Sequence, residues 1–349
     1  MVDNPAIYLG ILLALISGLM NGTFTLPMRY LTRWAWETVW AVFIVVACVV
    51  MPPVVLFLSV AHPLQVLVAA PARAEMIALA TGFIWGFGAI LFGLGVSAVG
   101  ISMVNTLVLA TSASLGSFLP LLILAPERLG QPQGRAIMLG TVTSLAGMGL
   151  CGYAGILRER SEKAGTGAPR QMVGAARPIG VGLVICAGAG ILSGLMNVGY
   201  SLSQGIIASA VQLGNSPFAG STVIWLLVLE CGAIANLAYC GYLLGKNRTW
   251  SNFRQAKALP LYGLAILMGV LWEGGLFAYG AAATKLGKLG PAIGWPLSLV
   301  VSLVTANCVG FLTGEWKLSS RSTRRRTAVG LAILLGAIGI LAWSGRLAG

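Results

Sequence analysis

Ser17-Gly-Leu-Met-Asn21 returns as Ser193-Gly-Leu-Met-Asn197, 176 positions later and again inside a long apolar run. Reading that pair as a duplication decides the architecture. Polar residues continue from each copy at helical spacing: Ser17, Asn21, Thr25 and Arg29 step by four, and Ser193, Asn197, Ser201 and Gln204 step by four, four and three. Each set therefore shares one helix face. In hydrocarbon an amide on such a face needs a partner, so it either joins two helices or points into a wet cavity.

Further pairs follow in the same order. Trp85, Gly88, Phe92 and Gly93 align with Trp272, Gly275, Tyr279 and Gly280 at an offset of 187. Arg135, Gly140, Gly149 and Gly155 align with Arg325, Gly330, Gly339 and Gly345 at 190. An offset that drifts as loop lengths change describes two copies of one unit, residues 1–157 and 179–349, joined by a polar cytoplasmic linker at 158–178.

Composition places those copies in a membrane. Of 349 residues, 57% are hydrophobic and 9% charged, against about 25% charged in a soluble domain. About 20 apolar residues cross a hydrocarbon core. Ten such stretches are found, near 5–26, 37–60, 76–97, 101–124, 136–156, 179–202, 219–244, 259–282, 289–313 and 328–345. The first has no basic flank before it and no small-residue cleavage site after it, so it reads as a retained helix rather than a signal peptide. Five spans is an odd number, so the second copy inserts upside down. The expected fold is an all-α polytopic membrane protein, ten transmembrane helices arranged as two inverted five-helix repeats. Transporters built this way hold substrate between the halves near the midplane.

Charge distribution orients the chain and removes other function classes. Net charge is +13, but sixteen of the 22 Lys and Arg residues fall in alternate connections, among them Arg158, Arg160, Lys317, Arg321, Arg324, Arg325 and Arg326. Basic connections face the cytoplasm, which puts both termini on the outer side of the membrane. Those bases read as topology signals and contacts to anionic lipid, not as a nucleic-acid patch. Cys48, Cys151, Cys186, Cys231, Cys240 and Cys308 fall within predicted helices without CxxC spacing, and His62 is the single histidine. No metal, no disulfide and no cofactor is expected. An enzyme would need a cluster of His, Asp or Cys at the membrane face, and the single Asp is Asp3.

The intramembrane acids carry the chemistry. Glu230 and Glu273 lie well inside helices seven and eight with no base within one helical turn. A carboxylate at the bilayer centre costs on the order of 3 kcal/mol, so each must be neutral, paired or hydrated, which suits a group that binds and releases a coupling proton. Glu37 opens helix two, where the macrodipole favours an acid, and Arg29 or Arg33 is its expected partner. Trp34 reads as an interfacial anchor. Trp40, Trp85, Trp225, Trp272 and Trp295 lie within helices, with Trp85 and Trp272 expected to face each other. Asn105, Ser112 and Gly116 share a face of helix four, with Thr106, Ser114 and Ser117 beside it, too polar a surface for lipid. Flat rings beside amides and hydroxyls suit a sugar, which presents an apolar face and a rim of hydroxyls. Pro52, Pro53, Pro120, Pro291 and Pro296 should kink their helices where protein or a cavity takes up the freed carbonyls.

Trp34-x-Trp-Glu37 with Trp40, Trp85-Gly-x-Gly88 with Gly93, Leu157-x-Glu-Arg160, Ala233-x-x-Asn236 and Glu315-Trp316 resemble the bacterial L-rhamnose/proton symporters, a branch of the drug/metabolite transporter superfamily. The resemblance spans nearly the whole chain. It implies a ten-helix inner-membrane carrier that takes up a sugar with a proton, and it raises Glu37, Trp36, Trp85 and Asn236 as functional residues. The expected proton-coupling residues are Glu230 and Glu273, then Glu37. The expected substrate contacts are Asn21, Asn197, Trp85, Trp272, Asn105, Asn236, Tyr279 and Trp36. The expected function is import of L-rhamnose or a related monosaccharide with a proton by alternating access. The alternative is an exporter of amino acids, drugs or nucleotide-linked sugars on the same fold.

Overall fold

The computed structural model describes residues 5–347 apart from 100, 167–178 and 256–257. Asp3 and most of the expected linker lie outside the described residues. Ten helices are long and apolar enough to cross a membrane: α1 (Pro5–Thr23), α2 (Trp36–Ser59), α3 (Ala72–Val99), α4 (Ile101–Leu124), α5 (Pro132–Thr166), α6 (Ile179–Leu202), α7 (Pro217–Lys246), α8 (Leu259–Lys285), α9 (Gly290–Leu312) and α10 (Arg321–Arg346). Among the described residues there is no strand. Large apolar side chains such as Leu12, Phe57, Val184 and Leu335 cover the outside, as a lipid-facing surface requires.

Helix ends depart from the apolar runs where polar residues cap or extend them. Ser320 accepts a hydrogen bond from the Thr323 amide at 3.1 Å, so α10 starts at Arg321 and carries the basic cluster in its first turns. Helix α5 continues to Thr166, so the first residues of the expected linker are helical. Within α2, residues Val45–Val50 form a π-helical turn before α-helix resumes at Met51. The following Pro52 and Pro53 supply no amide hydrogen to the preceding carbonyls, which explains the irregular turn there.

The bundle is cross-braced. Helix α1 packs on α8 and α9, α6 packs on α3 and α4, and α5 lies along α10. Helix α7 packs on α2 and α3, α8 on α2, α4 on α5 and α9, and α9 on α10. Small residues allow the close approaches on which apolar helices in lipid depend. At the α3–α7 crossing a methyl group on Gly82 would collide with the Val228 carbonyl oxygen, whereas one on Gly149 of α5 meets nothing within 4 Å. Gly82→Ala is therefore expected to cost about 1–3 kcal/mol through overpacking. Gly149→Ala should be neutral or slightly stabilising. Thermal unfolding of the two variants in detergent checks the contrast.

Candidate functional site: a polar cavity below a sealed helix crossing

One end of the bundle is closed by side chains that answer the prolines. A proline leaves the carbonyl four residues before it without its helical donor. For Pro120 that carbonyl belongs to Gly116, and Asn197 of α6 donates to it from Nδ2 at 2.6 Å. For Pro296 it belongs to Ala292, and Ser117 of α4 donates to it at 2.7 Å. Asn197 also donates to the Pro291 carbonyl at 3.3 Å and accepts a hydrogen bond from the Tyr279 hydroxyl. Trp295 adds a bond from Nε1 to the Ser112 carbonyl at 3.2 Å. Tyr200, Trp225, Tyr279 and Trp295 pack ring against ring beneath these bonds. Asn197 and Tyr279 are completely buried, and every polar atom of the Asn197 side chain is engaged in this seal.

Toward the other end, where the basic connections lie, the helices part around a cavity of about 750 Å³. Its wall is formed by Gly22 of α1 with Thr25 and Arg29 beyond it, Asn105 and Thr106 of α4, the α5 stretch from Cys151 to Arg158, the Leu303 to Val309 turns of α9, and Glu315 and Trp316 before α10. The charged members hold one another. Glu315 sits between Arg29 at 3.1 Å and Arg158 at 3.0 Å, and the Arg158 guanidinium lies over the Trp316 ring at 5.1 Å. Arg29 thus pairs with Glu315, not with Glu37.

Glu37 has other partners. It is buried at the start of α2 and accepts hydrogen bonds from Asn247 at 2.9 Å and Thr249 at 2.7 Å, which tie α2 to the α7–α8 connection. Trp34 is not an interfacial anchor. It is 5% exposed, edge-on to Tyr262 with ring centroids 4.7 Å apart, because the α7–α8 connection folds over it. Trp36 stacks on Trp40, Trp40 donates to Asn236 Oδ1 at 3.3 Å, and Asn236 donates to the Gly86 and Gly232 carbonyls. Trp85 and Trp272 stack at 5.5 Å with planes 15° apart. These aromatic and amide groups form a second polar cluster among α2, α3, α7 and α8. Asn21 bonds back to the Ser17 carbonyl at 3.1 Å. Of the eight expected substrate contacts, Asn105 is the one that lines the cavity.

The two lone acids part company. Glu230 is exposed on the outer flank of α7. Glu273 is fully buried, and neither carboxyl oxygen has a hydrogen-bond partner among the described residues. It lies within electrostatic reach of Cys48 in the π-helical turn of α2. No group of three or more His, Cys, Asp and Glu side chains suited to a metal occurs among the described residues.

A lone buried acid, a polar cavity and a proline-kinked seal describe a carrier in general terms, and similarity to known proteins narrows the description. The profile of the L-rhamnose-proton symport protein family matches residues 3–344. The chain belongs to that family. Proteins named L-rhamnose-proton symporter from Yersinia pestis (strain Pestoides F) and Yersinia pseudotuberculosis serotype O:1b (strain IP 31758) are each 25% identical to it over 345 residues, covering 97% of this chain and 98% of each relative. Two cavity residues escape a reading of the sequence as candidate contacts. Asn307 stands near the end of an apolar run, and Trp316 belongs to a motif whose place in the fold only the structure gives.

Proposed function

We propose that this chain imports L-rhamnose or a related monosaccharide together with a proton, by alternating access across a bacterial inner membrane. The observation that carries the reading is the 750 Å³ cavity between helices of both sequence copies, lying below a sealed crossing of α4, α6, α8 and α9. Its volume falls in the roughly 300–1,000 Å³ range of small-molecule sites. Helix packing supports the two-copy reading. Advancing each label by five exchanges α1–α8 with α6–α3, α1–α9 with α6–α4, and α4–α5 with α9–α10, while α5–α10 and α4–α9 map onto themselves.

With the basic connections cytoplasmic and both termini periplasmic, the cavity faces inward and the seal faces outward. A proton taken up on Glu273 from the outside neutralises a group that has no partner in this arrangement. Sugar then binds between the halves, the outer crossing closes, and release to the cytoplasm of sugar and proton resets the carrier. Glu230 is exposed at the flank whereas Glu273 is fully buried without a hydrogen-bond partner among the described residues, so Glu273 takes first place and Glu37 second.

Counterflow of labelled L-rhamnose in proteoliposomes tests the reading, with unlabelled L-rhamnose, L-fucose, D-xylose, D-glucose and an amino-acid mixture as competitors at two pH values. The expected result is competition confined to monosaccharides, with net uptake only under an inward proton gradient. Folded, reconstituted protein that exchanges no sugar would overturn it in favour of export of another metabolite.

A further inference from the structure

The cavity wall carries neutral polar groups that the protein leaves without partners. Asn105 is half-buried on α4 and makes no side-chain hydrogen bond among the described residues. Asn307 on α9 donates from Nδ2 to the Leu303 carbonyl at 2.9 Å. Only the amide nitrogen can serve a carbonyl, so Asn307 Oδ1 is left as an acceptor. Trp316 is 4% exposed, and its Nε1–H has no acceptor among the described residues. Its ring is fixed by Phe311, stacked with centroids 4.9 Å apart, and by Arg158 above it. The Thr25 hydroxyl, at the same wall, makes no capping bond to the turn that follows it.

These groups sort by chemistry. Both carboxylate oxygens of Glu315 already meet arginines. Beside that cluster stand an amide with both donor and acceptor functions, a carbonyl acceptor and a hydroxyl. A buried polar group without a partner is costly. A ligand that satisfies these neutral groups must itself alternate donors and acceptors, as a sugar's hydroxyls do. Leu26, Leu303 and Val309 supply apolar wall beside them.

We propose that Asn105 and Asn307 recognise the sugar. This assignment rests on the symport reading above. The two amides stand on α4 and α9, one from each sequence copy, so a sugar held by both ties the halves together. Loss of either amide should weaken binding from either state and should not alter the proton.

The test uses the full chain in proteoliposomes. Asn105→Ala and Asn307→Ala should each raise the half-saturation concentration for L-rhamnose counterflow by roughly tenfold. Thr284→Ala, on α8 outside the cavity with its hydroxyl bonded back to the Ala281 carbonyl, should leave it unchanged. Alkylation of Ala306→Cys, a substitution on the exposed part of the cavity wall, adds a readout independent of transport and of the other variants. L-rhamnose should slow its labelling. Wild-type exchange with unchanged half-saturation in both asparagine variants, or labelling of Ala306→Cys indifferent to L-rhamnose, overturns the assignment. Absence of any sugar exchange by the wild type overturns the symport reading instead.

Discussion

Glu273→Gln is expected to abolish pH-driven accumulation of sugar while leaving exchange of labelled for unlabelled sugar nearly intact. Glu273 is fully buried and has no hydrogen-bond partner among the described residues, so an ionised form here would be an uncompensated charge in hydrocarbon. On insertion scales that costs on the order of 3 kcal/mol. A bound proton removes that charge. Release of that proton requires water or a cation to reach the carboxyl, and therefore requires α2 and α8 to part. Glutamine keeps the size and the neutral state but has no proton to exchange. The accumulation ratio under an inward proton gradient should fall to one, with counterflow within a few-fold of wild type. Accumulation that survives Glu273→Gln moves the proton to Glu37, which accepts hydrogen bonds from Asn247 and Thr249.

The sequence made the ten helices legible because each needs about 20 apolar residues, and the Trp85–Trp272 stack was legible because the repeat alignment pairs those positions. Helix rotation was not. Glu230 and Glu273 are each a lone acid in an apolar helix, and a helix apolar all round carries no periodic signal to say which side faces protein. Only packing separates the exposed acid from the buried one. The prolines were legible as kinks, but the groups that complete them, Asn197 for Gly116 and Ser117 for Ala292, come from other helices and belong to tertiary structure. The repeat motif singled out Asn197 as a polar group in need of a partner, and the structure gives it three. Asn307 and Trp316 went unread because residues near a helix end resemble solvated loop residues until the cavity is seen. Trp34 misled for the same reason: an interfacial tryptophan and one covered by a neighbouring connection look alike in sequence.

Asn197→Leu should shift the carrier away from the state with the outer crossing closed. In the present arrangement the Asn197 amide serves the Gly116 carbonyl at 2.6 Å, the Pro291 carbonyl at 3.3 Å and the Tyr279 hydroxyl. Leucine serves none of them, and each polar group left buried without a partner costs about 1–3 kcal/mol. The cost applies only while α4, α6, α8 and α9 stay together, because water reaches the same groups once they separate. A difference above about 1.4 kcal/mol changes the balance of states tenfold. The rate at which Ala306→Cys is alkylated in open membrane fragments should therefore fall roughly tenfold when Asn197→Leu is added. Ser117→Ala removes the bond to the Ala292 carbonyl and the one shared with the Thr141 hydroxyl, and should act in the same direction with a smaller effect. Protein that stays folded and labels at the original rate in both backgrounds would show that the proline-freed carbonyls do not hold the outer crossing shut.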